Sequence, residues 1–205
     1  MSDALSLLLL PFAAAVAFVL VHAYFGVHVL KRRIVFADLA LAQLSGLGAT
    51  VAFANGYEPT SLPAFAYALA FTGIGAALLT VTRSVSRHVS QEAFVGILYV
   101  VATAATVLAI DRSPQGAEHV KRILVGNIAI IGAEDLIKLV GVYLAIAVLH
   151  WFIRRPMLAL SAAEDGVPRT GFAVWAWDFV FYASFGVVVT SSVAIAGVLL
   201  VFSLL

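Results

Sequence analysis

Eight ionisable side chains lie within or at the margins of long apolar runs: His22, His28, Asp38, Glu134, Asp135, Lys138, His150 and Asp178. A charge in hydrocarbon is costly, so such residues tend to line a path or hold a partner. Several have a purely structural reading. His28 and His150 lie within a turn or two of basic clusters and read as interfacial. Glu134 and Asp135 suit a helix N-terminus, and Glu134 with Lys138 forms an i,i+4 pair. Asp38 has two readings: an interfacial carboxylate paired with Arg33, or a group lining a polar path. Common catalytic signatures are missing: the sequence has no Gly-x-x-x-x-Gly-Lys-Ser/Thr phosphate loop, no His-Glu-x-x-His and no Gly-x-Ser-x-Gly. No enzyme activity and no cofactor is expected from this chain.

The elements that must position these residues are set by composition. Of 205 residues, 63% are apolar and 11% charged, against roughly half and a quarter in water-soluble domains. Too few charges remain to cover a soluble surface of this size, whereas a bilayer solvates apolar faces. The net charge of +1 gives no electrostatic case for nucleic acid, and the lack of cysteine excludes disulfides and thiolate metal sites. A spanning helix needs roughly 20 apolar residues. Leu7–Leu30, Ile34–Asn55, Pro63–Thr82, Ala93–Ile110 and Leu136–Ile153 each read as a crossing. Ile123–Ile131 is too short and reads as a partial or re-entrant helix. Gly171–Leu205 is too long for one perpendicular crossing and predicts a bent helix or one and a half crossings. Backbone amides in lipid must pair internally, so the expectation is an all-α polytopic transmembrane bundle of six to seven crossings in one domain, 1–205.

The first run reads as a retained helix rather than a secretory signal peptide: Asp3 precedes it, no basic n-region is present, and its apolar stretch is long for an h-region. Lys31-Arg32-Arg33, Arg83 with Arg87, and Arg154-Arg155 follow the first, third and fifth crossings, while the loop 56–62 carries Glu58 and no base. Basic residues are retained inside, which predicts an external N-terminus. The loop Asp111–Arg122, with three bases, falls outside and dissents. Trp175, Trp177 and Tyr182 read as an interfacial aromatic belt. Gly46, Gly48, Ala49 and Ala52 on the second crossing, and Gly73, Gly75, Ala76 and Ala77 on the third, let helix backbones approach closely, as in generic bundle packing.

Four stretches, in order, carry a resemblance. GVHVLKRRIVFADLALAQLSGLGATVAF (Gly26–Phe53) resembles the basic turn and aspartate-bearing second helix of the permeases of metal-ion ABC transporters, which import zinc, manganese or iron. EAFVGILYVVATAATVLAI, ILVGNIAIIGAEDL and WDFVFYASFGVVVTSSVAIAGVLLVFSLL are similar to later segments of that family, the last with a serine-rich bend before Gly-x-Leu-Leu-Val. The resemblance implies a metal pathway through Asp38, Gln43 and His22. It also implies that the loop 154–171 holds short coupling helices seated on a cytoplasmic ATPase. There Met157, Leu158 and Leu160 would fill a groove, and Arg154, Arg155, Pro156 and Glu164 would complete the contact. Two departures stand out. Many members carry Asp-x-x-Ser-His on the second helix, whereas here Leu41 and Ala42 follow Asp38. The family also continues past the Leu-Leu-Val run, where this sequence stops at Leu205.

The function expected is that of a permease subunit of an ATP-driven divalent metal-ion importer in a bacterial-type inner membrane. Its expected partners are ABC ATPase subunits, a second permease copy, an external metal-binding protein and the lipid bilayer. The alternative is a non-transporting structural subunit, a shortened permease relative within a larger membrane complex.

Overall fold

The structure, a computed structural model, describes residues 2–85, 90–111, 115–162 and 171–204. All regular structure among them is helical: α1 (Ser2–Arg32), α2 (Ala37–Ala54), α3 (Leu62–Val85), α4 (Gln91–Ile110), α5 (Gly116–Val125), a 3-10 turn (Ile128–Ile130), α6 (Ala133–Phe152), α7 (Arg154–Ala162) and α8 (Phe172–Ser203). Six of these, α1 to α4, α6 and α8, are long and apolar enough to cross a membrane. Helices α2 and α8 form the buried centre. The others turn Leu20, Ile97, Leu108, Ile137 and Leu144 outward, the arrangement lipid requires.

The inner stripe of α1 shows how sequence spacing builds this centre. Ala14, Phe18, His22, Phe25, Val29 and Arg32 recur every three or four residues, and all are buried. The helix ends at Arg33, whose φ of 55° is left-handed. Arg33 N–H donates to the Leu30 carbonyl at 3.1 Å and Ile34 N–H to that of Val29 at 3.2 Å. This is a Schellman ending, with buried Ile34 and Val29 as its apolar partners. It splits the basic triplet: Lys31 and Arg33 stay exposed while Arg32 turns inward.

Cross-helix pairs fix the directions. Phe18 meets Tyr143 and Phe25 meets His150, so α1 and α6 run parallel. Thr72 pairs with Thr190 and Arg83 with Asp178, so α3 and α8 are antiparallel. Arg32, Arg83, Arg154 and Arg155 consequently share one end of the bundle, called the basic end below. Gln91 at the start of α4 touches Leu79 and Tyr182, placing it near this end. Ala109 lies near Phe53 at the opposite end. Since α6 starts where α4 stops, α5 and the 3-10 turn must enter and leave on one side.

The expected short partial or re-entrant element is present, with its bounds corrected. Residues 116–122 are not loop but the first turns of an amphipathic helix, α5. Its His119 stacks on Phe53 with ring centroids 4.2 Å apart, and its Ile123 packs against Gly46. The short apolar segment is not one helix either. It breaks at Gly126 and resumes as the 3-10 turn.

The long last run is a single helix with a break at Gly197 (φ 76°, ψ 162°). The expected bend at Thr190-Ser191-Ser192 does not occur. Ser191 and Ser192 bond back to the carbonyls of Val187 and Val188 at 2.9 and 2.6 Å, and the helix stays regular. At the true break Gly197 crosses Gly126 (φ 63°), backbone against backbone, and Asn127 N–H donates to the Ile195 carbonyl at 3.0 Å. Both glycines occupy a region that side chains other than hydrogen make inaccessible. Close packing of α2 on α3 occurs through Gly48, against the Tyr67 carbonyl, and through Gly75, against Leu44, but Gly73 faces open space.

Candidate functional site

The three pathway candidates are all buried. Asp38, the second residue of α2, is 1% exposed; its carboxylate has no side-chain hydrogen bond and faces the backbone N–H groups of Asp38 and Leu39 in its own turn. Its support is the α2 N-terminus, whose partial positive charge favours an anion. Gln43 lies five residues on in the same helix, too far round to share its face. His22 is on α1, with Nδ1 2.9 Å from the Phe18 carbonyl and Nε2 without a partner. Among the described residues no three His, Cys, Asp or Glu side chains gather into a metal-holding group. Two of the three candidates, Asp38 and Gln43, lie on α2 and the third, His22, on α1.

A dense polar cluster lies instead at the basic end, built from residues the sequence reading set aside or passed over. Arg32 Nη1 donates to Asp178 Oδ1 at 2.7 Å. Arg83 Nε approaches the other oxygen of Asp178 at 3.4 Å. The Arg32 guanidinium also lies 3.9 Å from the centroid of the Phe181 ring, a cation–π contact strengthened by desolvation. Arg32 Nε donates to Ser161 Oγ at 3.1 Å, and Ser161 Oγ is 2.8 Å from His28 Nδ1. Ser161 thus accepts from Arg32 and has its own proton to give to His28.

A second chain runs beside the first. Ser184 Oγ donates to the Phe181 carbonyl at 3.0 Å, so it can accept from His150 Nε2 at 2.8 Å. His150 Nδ1 then receives the Tyr24 hydroxyl at 2.9 Å. Each His150 nitrogen has a partner, the condition for burying such a ring at low cost. His28 and His150 are each 3% exposed, which corrects their interfacial reading. Tyr182 is likewise not part of an aromatic belt. It is buried and accepts a hydrogen bond from Gln91 Nε2 at 2.7 Å.

The spacing of His28 and Arg32, one turn apart near the end of a largely apolar helix, was the available sequence signal. Its partners lie on α3, α7 and α8, beyond the reach of local periodicity. Glu134 and Lys138 do pair, at 2.7 Å, on an exposed face. That pair remains structural.

Helix α7 follows α6 with only Ile153 between them. Met157 and Ser161, one turn apart, are buried against the bundle, so Met157 is not on the face left for a partner. Arg154, Arg155 and Leu158 are exposed, and Pro156 and Leu160 are half-buried. The Arg154 guanidinium lies 4.4 Å from the Trp151 ring centroid. Glu164 falls outside the described residues.

Residues 5–205 match the ABC 3 transport family. The chain belongs to that family. Its fold is that of PsaBC from Streptococcus pneumoniae in complex with Fab, with a TM-score of 0.73 and 20% identity, covering 97% of this chain and 69% of that one. No curated protein matches by sequence. As a member of the ABC 3 family, the chain is a multi-pass membrane permease subunit of a metal-ion ABC importer. ATP hydrolysis belongs to a partner chain. Within this family member, the two-faced α7 and the polar cluster behind it are the most elaborated feature of the basic end.

Proposed function

We propose that the chain imports a divalent cation such as zinc, manganese or iron, paired with a second permease copy and driven by two ATPases at the basic end. The bundle then lies in a bacterial-type cytoplasmic membrane with its N-terminus outside, and an external binding protein delivers the cation. The observation that carries this reading is the division of α7 into two faces. Met157 and Ser161 hold it to the bundle, while Arg154, Arg155 and Leu158 are presented outward on a rigid nine-residue helix. A helix with an exposed leucine behind a basic first turn suits a groove on a partner, since buried anchors dominate such interfaces.

Leu158→Asp places a carboxylate in that groove, at a cost of roughly a few kcal/mol. It should detach the ATPase from the purified permease while leaving the bundle folded, and Leu160→Asp should do so more weakly. A wild-type chain that brings down no ATPase, yet co-purifies with a large membrane complex, would support a structural subunit instead.

Asp38, Gln43 and His22 are proposed as separate polar stations along the path rather than as one binding site. Asp38 carries the clearest case, because its carboxylate is buried with only the backbone of its own helix turn to support it. Asp38→Asn should abolish cation uptake at unchanged protein abundance. Normal accumulation of all three metals in that variant would remove Asp38 from the path. Orientation is testable with Lys31→Cys and Glu58→Cys: an impermeant thiol reagent on intact cells should label position 58 and not position 31.

A further inference from the structure

We propose that Ser161 is the joint that ties the ATPase-facing helix α7 to the charged centre of the bundle, so that displacement of α7 is passed to α1, α3 and α8 through one hydroxyl. The inference rests on the α7 reading above and assigns a residue on the bundle-facing side of that helix. Ser161 is 4% exposed and sits in the last turn of α7. Its hydroxyl contacts two side chains of one helix, His28 and Arg32, which lie a turn apart on α1. Arg32 passes the connection to Asp178 on α8, and Asp178 to Arg83 on α3. Three transmembrane helices therefore meet α7 through a continuous set of short polar contacts.

The rest of the α7 inner face is apolar. Met157, 0% exposed, supplies packing that is non-directional and tolerates sliding. A hydrogen bond does not slide: it weakens steeply once its angle or length departs from the optimum. If α7 tilts by the length of one bond, Met157 keeps its contacts while Ser161 must either drag α1 or release Arg32 and His28. Release leaves a buried donor on Arg32 and a buried acceptor on His28 unpaired, at the desolvation cost of each. Arg32 is also held by Asp178 and by the Phe181 ring, so a pull on it is felt by α8. Ser161 is a positioning residue in this account. It touches neither cation nor nucleotide.

The test compares Ser161→Ala with Ser161→Thr in the permease–ATPase complex reconstituted into vesicles, with manganese as the transported probe. Ser161→Ala should leave the ATPase bound and ATP hydrolysis running, and lower manganese uptake per ATP by about tenfold, the factor expected from one buried hydrogen bond. Ser161→Thr, which keeps the hydroxyl, should restore most of it. A merely structural role would lower hydrolysis and uptake together, leaving their ratio unchanged, and would overturn the proposal.

A second measurement needs no ATPase. Amide hydrogen exchange in the permease alone should rise in 154–162 for Ser161→Ala, remain as in the wild type for Ser161→Thr, and stay unchanged in 91–110. Unchanged exchange in 154–162 would sink the joint itself. A wild-type permease that binds no ATPase, but shows the exchange effect, would defeat the coupling reading and leave the joint standing.

Discussion

The two ends of the bundle are held together by opposite means. At the basic end, α1, α3, α7 and α8 meet through side chains: Arg32, Asp178, Arg83, Ser161 and His28. Away from it, the α5 segment meets α8 through bare backbone at Gly126 and Gly197. The first contact depends on complementary charges and hydroxyls, each of which can be lost by removing atoms. The second depends on the absence of atoms and is lost by adding one carbon. Helix packing in lipid has little hydrophobic drive, so polar contacts and close backbone approach are the two means left to specify it. This chain uses one of them at each place.

The comparison predicts a graded set of failures. Asp178→Ala is the most damaging, because it leaves two guanidinium groups near a buried position without their shared carboxylate. Breaking a buried pair this way costs about 3–5 kcal/mol. Thermal unfolding in detergent should show a large drop in midpoint, and a variant that also neutralises Arg32 should recover part of it. If the single change leaves the midpoint unaltered, the cluster does not hold the basic end.

Gly197→Ala comes next. Its φ of 76° and ψ of 162° alone cost about 1–3 kcal/mol with a side chain, and the new carbon meets the backbone of Val125 and Gly126. Proteolysis should then cut near 111–131 faster than in the wild type, while the basic end remains protected. Gly73→Ala is the mild control: the added carbon meets nothing, and alanine favours the helix by up to about 1 kcal/mol. Its unfolding midpoint should equal or exceed the wild-type value. A Gly73 variant as unstable as the Gly197 variant would show that glycine loss, not the crossing, is what matters.

The lesson for reading such sequences lies in what each signal can see. Long apolar runs located all six spans, because hydrocarbon thickness and helix rise set their lengths. The buried stripe of α1 from Ala14 to Arg32 was not readable from spacing, because exposed Val16, Val19, Leu20 and Val27 are as apolar as the buried Phe18, Phe25 and Val29. Nor was the role of Arg32, since a basic triplet at a helix end ordinarily faces water. Its burial depends on the left-handed turn at Arg33 and on Asp178, 146 residues away along the chain. His28 and His150 were taken as interfacial for the same reason: their partners are hydroxyls on α7, α1 and α8 with no sequence mark of their own. The α8 bend was placed at its serines, whereas hydroxyls that bond to the carbonyl four residues back leave the helix intact. The break belongs to Gly197, inside an apolar run where a glycine reads as ordinary packing. The first turns of α5 were missed because they are rich in charge; His119 and Ile123 hold the helix against α2.

The central claim is that the outward face of α7 seats the ATPase, and site-specific photocrosslinking tests it most directly. A photoreactive residue at position 158, on the exposed face of α7, should form an adduct with the ATPase chain in native membranes. The same residue at position 97, on the outward face of α4, should react with lipid. Adduct formation at position 158 should vanish when the ATPase gene is deleted. An ATPase adduct absent at position 158 in membranes where transport is active would contradict the account.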